Sequence, residues 1–427
     1  MLRRRGIETV ILAGADTHGI MRGKRLPIAE LDRATERGIA LCDVIWALPV
    51  DEVEPVQPPA GHAGWFPRAG YPDMLAIPDL ETARIVPWHD RTALLLCDFV
   101  DDDGSAIPLS PRAVLRSVVE RARSMGVEPI AGVELEFYVL RETPQSVLAK
   151  RPSQLEAIEE GPSVYGVVAA SRHESFTGAV RETLRRFGLA VEACNPEAGP
   201  GQFEINLRAA PALQAADEAF LLKSAVKEIA ERQGLLATFM AKPRSDWPGS
   251  SCHLHLSLRD GTATTMRHFI GGLLAGMAEL TALLAPTPNS YRRFVPYSWA
   301  GTTATWGVDN RAAGVRMLGT RVEHRQAGAD ANPYLAAAAA LAAGLDGVQR
   351  ACEPPAPVGG DVYAMPDAPT LPVTLAEATD LLERSALARD WLGDDVVEHC
   401  VAMRRAELAA QAAAVTDWET SRYLEAL

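Results

Sequence analysis

The sequence predicts an α+β fold in which a small N-terminal domain precedes a larger one built from strands and long helices. Three observations carry that expectation. Apolar runs at 7–14 (IETVILAG) and 93–100 (ALLLCDFV) read as strands, and 28–40 between them reads as a helix. Four later segments, GVELEF at 132–137, GQFEINL at 201–207, CHLHLSL at 252–258 and RVEHR at 321–325, alternate polar and apolar residues at the strand period of two. Beyond RVEHR the chain reads as almost wholly helical, so strands and helices do not follow a βαβα repeat.

In chain order, the Pro- and Gly-rich stretch at 53–73 reads as irregular, and the small domain ends near Asp103 and Gly104. Ser110-Pro111 then starts a helix, with Ser as cap and Pro in the first turn, and Met125-Gly126 stops it. Helical spacing returns at 173–188 and 213–234. The polar and aromatic segment at 289–311 suits the surroundings of a substrate, and the proline-bearing stretch at 353–372 reads as a loop. The apolar run at 334–345 falls short of a membrane span, which needs ~20 residues, and reads as a tightly packed Ala-rich helix. At the start, Glu8 and Asp16 break what would otherwise resemble a secretory leader, so an ordinary first strand is expected.

With 48% hydrophobic and 23% charged residues, the 427-residue chain has the composition of a soluble globular protein. Its net charge of -13 argues against nucleic-acid binding, which needs a basic excess. Six cysteines without a CxxC pair point to free thiols in a reducing cytoplasm. Neither GxGxxG nor GxxxxGK[ST] occurs, so a bound nucleotide would not sit on a Rossmann or P-loop scaffold.

The chemistry lies in the four alternating segments. Glu134 with Glu136, Gln202 with Glu204, His253 with His255, and Arg321 with Glu323 and Arg325 each share one strand face. Strands laid side by side would therefore line one cavity with carboxylates, imidazoles and guanidiniums. Each segment alone has a plainer reading: Glu-x-Glu as a solvated edge, the NPEAGPGQFEIN loop as a hairpin with exposed acids, a buried histidine as structural, and Arg-x-Glu-x-Arg as a self-neutralising cluster. Together they exceed what one metal requires. Oxygen-rich ligation selects magnesium or manganese. Arginines at 293, 311, 316, 321 and 325 suit phosphate and carboxylate, and metals with arginines are what phosphoryl transfer needs.

These motifs, in this order, resemble the glutamine synthetase superfamily, type I. The matching segments are GVELEF, NPEAGPGQFEIN, GSSCHLHLSL, NSYRRFVP at 289–296, DNR at 309–311 and RVEHRQAGADANPYL at 321–335. The resemblance implies an N-terminal β-grasp domain over 1–105 and a catalytic domain over 106–427 with a curved antiparallel sheet. It also implies a homo-oligomer, a dodecamer of two hexameric rings, in the cytoplasm. By the same resemblance Glu136, Glu197 and Glu204 hold one divalent cation, and Glu134, His253 and Glu323 hold a second, with two or three ions per site. Glu192, His255, Ser257, Arg316 and Arg321 match ATP-contacting positions. Gly249, Arg293 and Arg325 match glutamate-contacting ones, and Arg311 a position between glutamate and the transferred phosphoryl. Arg311 and Arg316 then serve as the catalytic pair.

The departures concern the second substrate. Ammonia-using members carry Val-Pro-Gly-Tyr-Glu-Ala-Pro, where this chain has VPYSWAG with Trp299 in the place of the Glu. Their Asp-Gly-Ser-Ser segment corresponds to QPPAGHAGW, which has no carboxylate. An ammonium site needs anions to attract the cation and take its proton, and both are replaced. Together with WGVDNR at 306–311 and the ending VTDWETSRYLEAL, this resembles the branch that joins glutamate to polyamines, ethanolamine or other alkyl and aryl amines, gamma-glutamylpolyamine synthetases included. An indole at Trp299 can pack against such an amine, or serve as plain packing. Pro248 replaces an Asn that contacts glutamate, and Ser251 replaces a glycine of the Gly-Ser-Gly turn. The function expected is ligation of glutamate to an amine with ATP. The other readings are an ammonia-dependent glutamine synthetase and a silent sensor or structural ring, the last disfavoured because it has no need of clustered carboxylates.

Overall fold

The computed structural model describes residues 2–62, 64–150 and 154–426. Ala63, inside the QPPAGHAGW stretch, lies outside them. Two sheets organise the chain. The first contains β1 (Thr9–Ala15), β2 (Met21–Pro27), β3 (Ile39–Cys42), β4 (Asp73–Pro78), β5 (Arg84–Ile85) and β6 (Thr92–Val100), in the order β2-β1-β6-β4-β3 with β5 on β6. Only the β1 and β6 pair is parallel. The helix Leu31–Arg37 packs on β4, which completes a grasp-like arrangement. Val10, Leu12, Leu95 and Phe99 are buried beneath it, and Trp46 meets Phe99 edge to face at 5.3 Å.

The helix expected over 28–40 is shorter than its pattern suggests. Residues Ile28–Glu30 form a 3-10 turn, and Gly38, at φ +70°, ends the helix so that Ile39 can begin β3. The 53–73 stretch is irregular until β4 begins at Asp73, as its composition implied. The helix Pro111–Ser124 starts and stops where expected, although the Ser110 side chain makes no capping hydrogen bond.

The second sheet contains β7 (Glu128–Leu140), β8 (Val191–Pro196), β9 (Gln202–Leu207), β10 (Ala210–Pro211), β11 (Leu236–Thr238), β12 (Cys252–Arg259), β13 (Trp306–Val308), β14 (Val315–Leu318) and β15 (Arg321–His324). Its order is β13-β14-β15-β12-β7-β9-β8, with β10 and β11 also paired to β7. Every pairing but that of β13 with β14 is antiparallel. The four alternating segments thus fall on β15, β12, β7 and β9, which are consecutive neighbours. Their apolar faces, Leu135, Phe203, Ile205, Leu254, Leu256 and Val322, are buried against the helices.

Behind this sheet the helices Ala212–Glu231, Ala263–Gly276 and Pro333–Arg350 form the main core. A Cβ on Gly272 would lie 2.6 Å from the Gly347 Cα, so the Ala- and Gly-rich composition sets how closely two of these helices approach. The helix expected over 173–188 forms as Glu174–Arg186, with His173 at its N-cap, and a separate short helix, Val167–Arg172, precedes it. Arg112 joins the two sheets' surroundings: its guanidinium reaches Asp217 at 2.9 and 3.0 Å, Asp98 at 3.0 Å and Asp79 at 2.8 Å. Among the described residues no helix is long and apolar enough to cross a membrane.

Candidate active site

The strand register converts the polar stripes into one surface. His253 lies opposite Glu134 across β12 and β7, and Glu136 lies opposite Glu204 across β7 and β9. His255 and Arg316 both lie opposite Glu323, on β12 and β14 respectively. A residue slip of one on any strand would turn its stripe into the core, so burial of the apolar faces fixes the register of the site. The surface forms the floor of a cavity of about 1010 Å³. Every sequence-predicted site residue except Ser257 and Arg293 lines it.

Two tight groups of ligating atoms lie on this floor. Glu134, His253 and Glu323 place one atom each within 4.8 Å of one another, and so do Glu136, Glu204 and His253. The first group coincides with one of the two expected ligand sets. In the second, His253 stands beside Glu136 and Glu204, whereas Glu197 lines the cavity outside the group, on the loop after β8, with Asn195 donating to it at 3.2 Å.

Electrostatics favour a cation here. Burial together with the charges of Glu136 and Glu134 pushes Glu197 up to about 7. Glu204 likewise rises to about 7, from burial and from Glu134. Glu134 moves the other way despite its burial, because His253 and His255 hydrogen-bond to it and hold it well below the usual carboxylate range. Burial and Arg325 act to lower His253, but Glu134, Glu323 and Glu136 outweigh them and raise it. The Nε2 of His253 is buried and has no hydrogen-bond partner among the described residues. His253 Nδ1, 3.4 Å from Glu134 and 3.7 Å from Glu323, together with carboxylates that resist simultaneous ionisation, forms a donor set completed by a divalent cation, and its oxygen-rich chemistry fits magnesium or manganese.

Guanidiniums flank the carboxylates. Arg316 donates to Asp309 at 2.9 and 2.5 Å and to Glu323 at 2.9 Å. Arg325 donates to Glu323 and, at 3.1 Å, to the carbonyl of Trp299. Arg321 reaches His255 Nδ1 at 3.3 Å, and His255 Nε2 meets Glu134 at 2.8 Å. Arg311 is exposed at the cavity wall and makes no hydrogen bond among the described residues. Glu192 is half exposed and lies 3.7 Å from Arg208.

Two expected contact residues sit elsewhere. Arg293 is only 1% exposed, behind the floor, where it donates to the carbonyls of Gln326 and Ala327 at 3.1 Å and to Ser251 Oγ at 3.0 Å. Its guanidinium braces the turn that shapes the cavity. Gly249 is needed for that arrangement, since a Cβ there would collide with the Arg293 Cγ. Ser257 lies on β12 two residues beyond His255 and is not part of the lining.

Three residues that the sequence reading named without giving them a role of their own act as positioning residues. Gln202 accepts from Gly199 N at 2.8 Å and donates to the Gly249 carbonyl at 2.9 Å and Ser250 Oγ at 3.1 Å, tying two loops together. Its place at i-2 from Glu204, on the same face, was the available signal. Ser251 donates its backbone N–H to Glu136 at 2.7 Å. Asp309, within the DNR motif, fixes Arg316.

Residues 108–423 match the glutamine synthetase catalytic-domain family. The chain belongs to the glutamine synthetase family. It is 35% identical to a glutamate–isopropylamine ligase of a Pseudomonas species, over 99% of this chain and 96% of that protein. It is 38% identical to a gamma-glutamylethanolamide synthetase of Streptomyces coelicolor, over 98% of this chain and 93% of the relative. Among solved structures, a GmaS/ADP complex aligns with a TM-score of 0.86 at 30% identity, covering 99% of this chain and 98% of that one. Glutamine synthetase-like ligases use ATP and divalent metals, and the carboxylate–imidazole floor is where this chain offers ligands to them.

Proposed function

We propose that this family member joins the γ-carboxylate of L-glutamate to an organic amine, a polyamine, ethanolamine or another alkyl or aryl amine, with ATP consumed and ADP released. The observation that carries the amine is Trp299: the residue, 54% exposed, lines the cavity, and VPYSWAG contains no carboxylate. The relatives named for isopropylamine, ethanolamide and anilide products support the same reading.

In this reading Glu134, His253 and Glu323 hold one cation and Glu136, Glu204 and Glu197 another, magnesium or manganese, with two or three ions per site. When bound, the cations neutralise charge between the reacting oxygens. The γ-carboxylate oxygen attacks the γ-phosphorus of ATP and ADP leaves, giving γ-glutamyl phosphate. The amine nitrogen then attacks the acyl carbon, the C–O bond to phosphate breaks, and the proton lost from nitrogen goes to the departing phosphate or to solvent. Arg316, already oriented by Asp309 and Glu323, and the unengaged Arg311 face the transferred phosphoryl group. Glu192, His255 and Arg321 surround the nucleotide, and Gly249, Arg311 and Arg325 the glutamate.

Ser257 and Arg293 act behind these contacts rather than at them, in keeping with their positions outside the lining. We further take the chain to divide at 105/106, to work in the cytoplasm, and to assemble as a dodecamer of two rings. The test is ADP release with glutamate and a panel of single amines, with ammonia as comparator. Ammonia equal to or better than every amine would replace this reading with an ammonia-dependent glutamine synthetase.

A further inference from the structure

The segment carrying Trp299 has an unusual backbone. Tyr297, Trp299 and Gly301 have φ of +61°, +64° and +62°, so alternate residues occupy the left-handed region. Only Gly301 adopts it without steric cost, and the other two must be held there by their surroundings. What holds them is the 353–372 stretch, which the sequence offered only as a loop. Tyr363 Oη accepts a hydrogen bond from the backbone N–H of Trp299 at 2.9 Å. The rings of Tyr363 and Tyr297 pack with centroids 4.8 Å apart, and Tyr297 Oη donates to Asp361 at 3.3 Å. Asp361 in turn accepts from Tyr363 N at 2.9 Å, which fixes the turn itself. Further along, Leu371 N donates to Thr302 O at 3.1 Å and Ala304 N to Pro369 O at 2.8 Å. From the opposite side Arg325 donates to the Trp299 carbonyl at 3.1 Å.

We infer that Tyr363 is a positioning residue for the second substrate: its hydroxyl and ring lock the 297–301 backbone so that the Trp299 indole stands at the cavity, setting the size of amine admitted. This rests on the amine-ligase reading for the nature of the substrate but not for the clamp. Because Trp299 O is also tied to Arg325, the clamp fixes the amine side of the cavity relative to the glutamate side.

The test is Tyr363→Phe, which keeps the ring and deletes the hydroxyl, with Tyr363→Ala as the second variant. In Tyr363→Phe the KM for the best acceptor of the wild type is expected to rise about 3- to 10-fold, the loss of one neutral hydrogen bond. The KM values for ATP and glutamate are expected to stay within about twofold, since all their contact positions lie elsewhere. Acrylamide quenching of the indole, taken as the difference from Trp299→Phe in each background, should also increase. An unchanged acceptor KM with unchanged quenching overturns the clamp, and so does an equal rise in all three KM values. If ammonia proves to be the wild type's best acceptor, the amine reading fails, yet the same KM comparison made with ammonia still decides the clamp.

Discussion

The floor of the cavity and its Trp299 wall are built by opposite means. The floor comes from five neighbouring strands, β14, β15, β12, β7 and β9, whose register is fixed by a buried apolar face. Its ligating atoms repeat at i and i+2, and no ligand depends on a loop conformation except Glu197. The wall is an irregular segment with two non-glycine residues in the left-handed region, kept in place by a turn more than sixty residues away in sequence. In the proposed reading, the chemistry shared across the family, metal and phosphoryl handling, sits on the rigid half. The proposed selection of the second substrate would sit where the backbone is held by a few replaceable contacts, so it could change without disturbing the first.

The sharpest way to break this contrast is on the floor. His253→Ala or Glu323→Gln is expected to lower kcat by on the order of a thousandfold, measured as ADP release at saturating substrates. Wild-type rates in either variant would remove the cation assignment. Gln is chosen because Glu323 is 1% exposed and paired with Arg316 and Arg325. Truncation to Ala would leave Arg325 with only the Trp299 carbonyl and Arg316 with only Asp309, and destabilise the fold by about 3–5 kcal/mol.

A change at the wall should be smaller and selective. Trp299→Glu is expected to shift the ratio of kcat/KM for ammonia over the best amine by about tenfold toward ammonia, the effect of one carboxylate near a cation in a partly solvated site. An unmoved ratio would mean that Trp299 does not shape the acceptor pocket.

The floor also has a pH signature. Glu197 and Glu204 are raised from 4.5 to about 7, so in the metal-free chain they favour the folded state at low pH, and that contribution is lost as pH rises from about 4.5 through about 7. The melting temperature of metal-free wild type, relative to Glu204→Gln, should therefore fall between pH 6 and 8. Added magnesium should raise it more at pH 8 than at pH 6. Equal stabilisation at both values would show that these carboxylates do not bind the ion. At the small end, Glu192→Ala is expected to raise the KM for ATP about two- to threefold and leave the melting temperature unchanged, because Glu192 is half exposed with only a distant ion pair.

Much of this was legible in the sequence because strand periodicity reports which face of a strand a residue takes. Spacing put Glu134, Glu136, Glu204, His253 and Glu323 each on the polar face of its strand, with one shared surface conditional on adjacency, and the sheet order puts those strands side by side. What the spacing cannot carry is depth. Arg293 reads as a contact residue in NSYRRFVP, but the chain folds it behind the floor, where Gly249 leaves room for its stem. Nor does periodicity report a single residue that ends an element, as Gly38 does at φ +70° inside an apparently helical stretch. The 353–372 segment shows no periodicity at all, and its role comes from tertiary hydrogen bonds to residues 297–304 that no local pattern encodes.

The amine itself is tested most directly by a one-pot competition, in which wild-type protein, glutamate, ATP and magnesium meet ammonia and a panel of alkyl, aryl and polyamines at equal concentration, with products identified by mass. A γ-glutamylamide of an organic amine as the dominant product is expected. Glutamine as the dominant product would contradict the assignment.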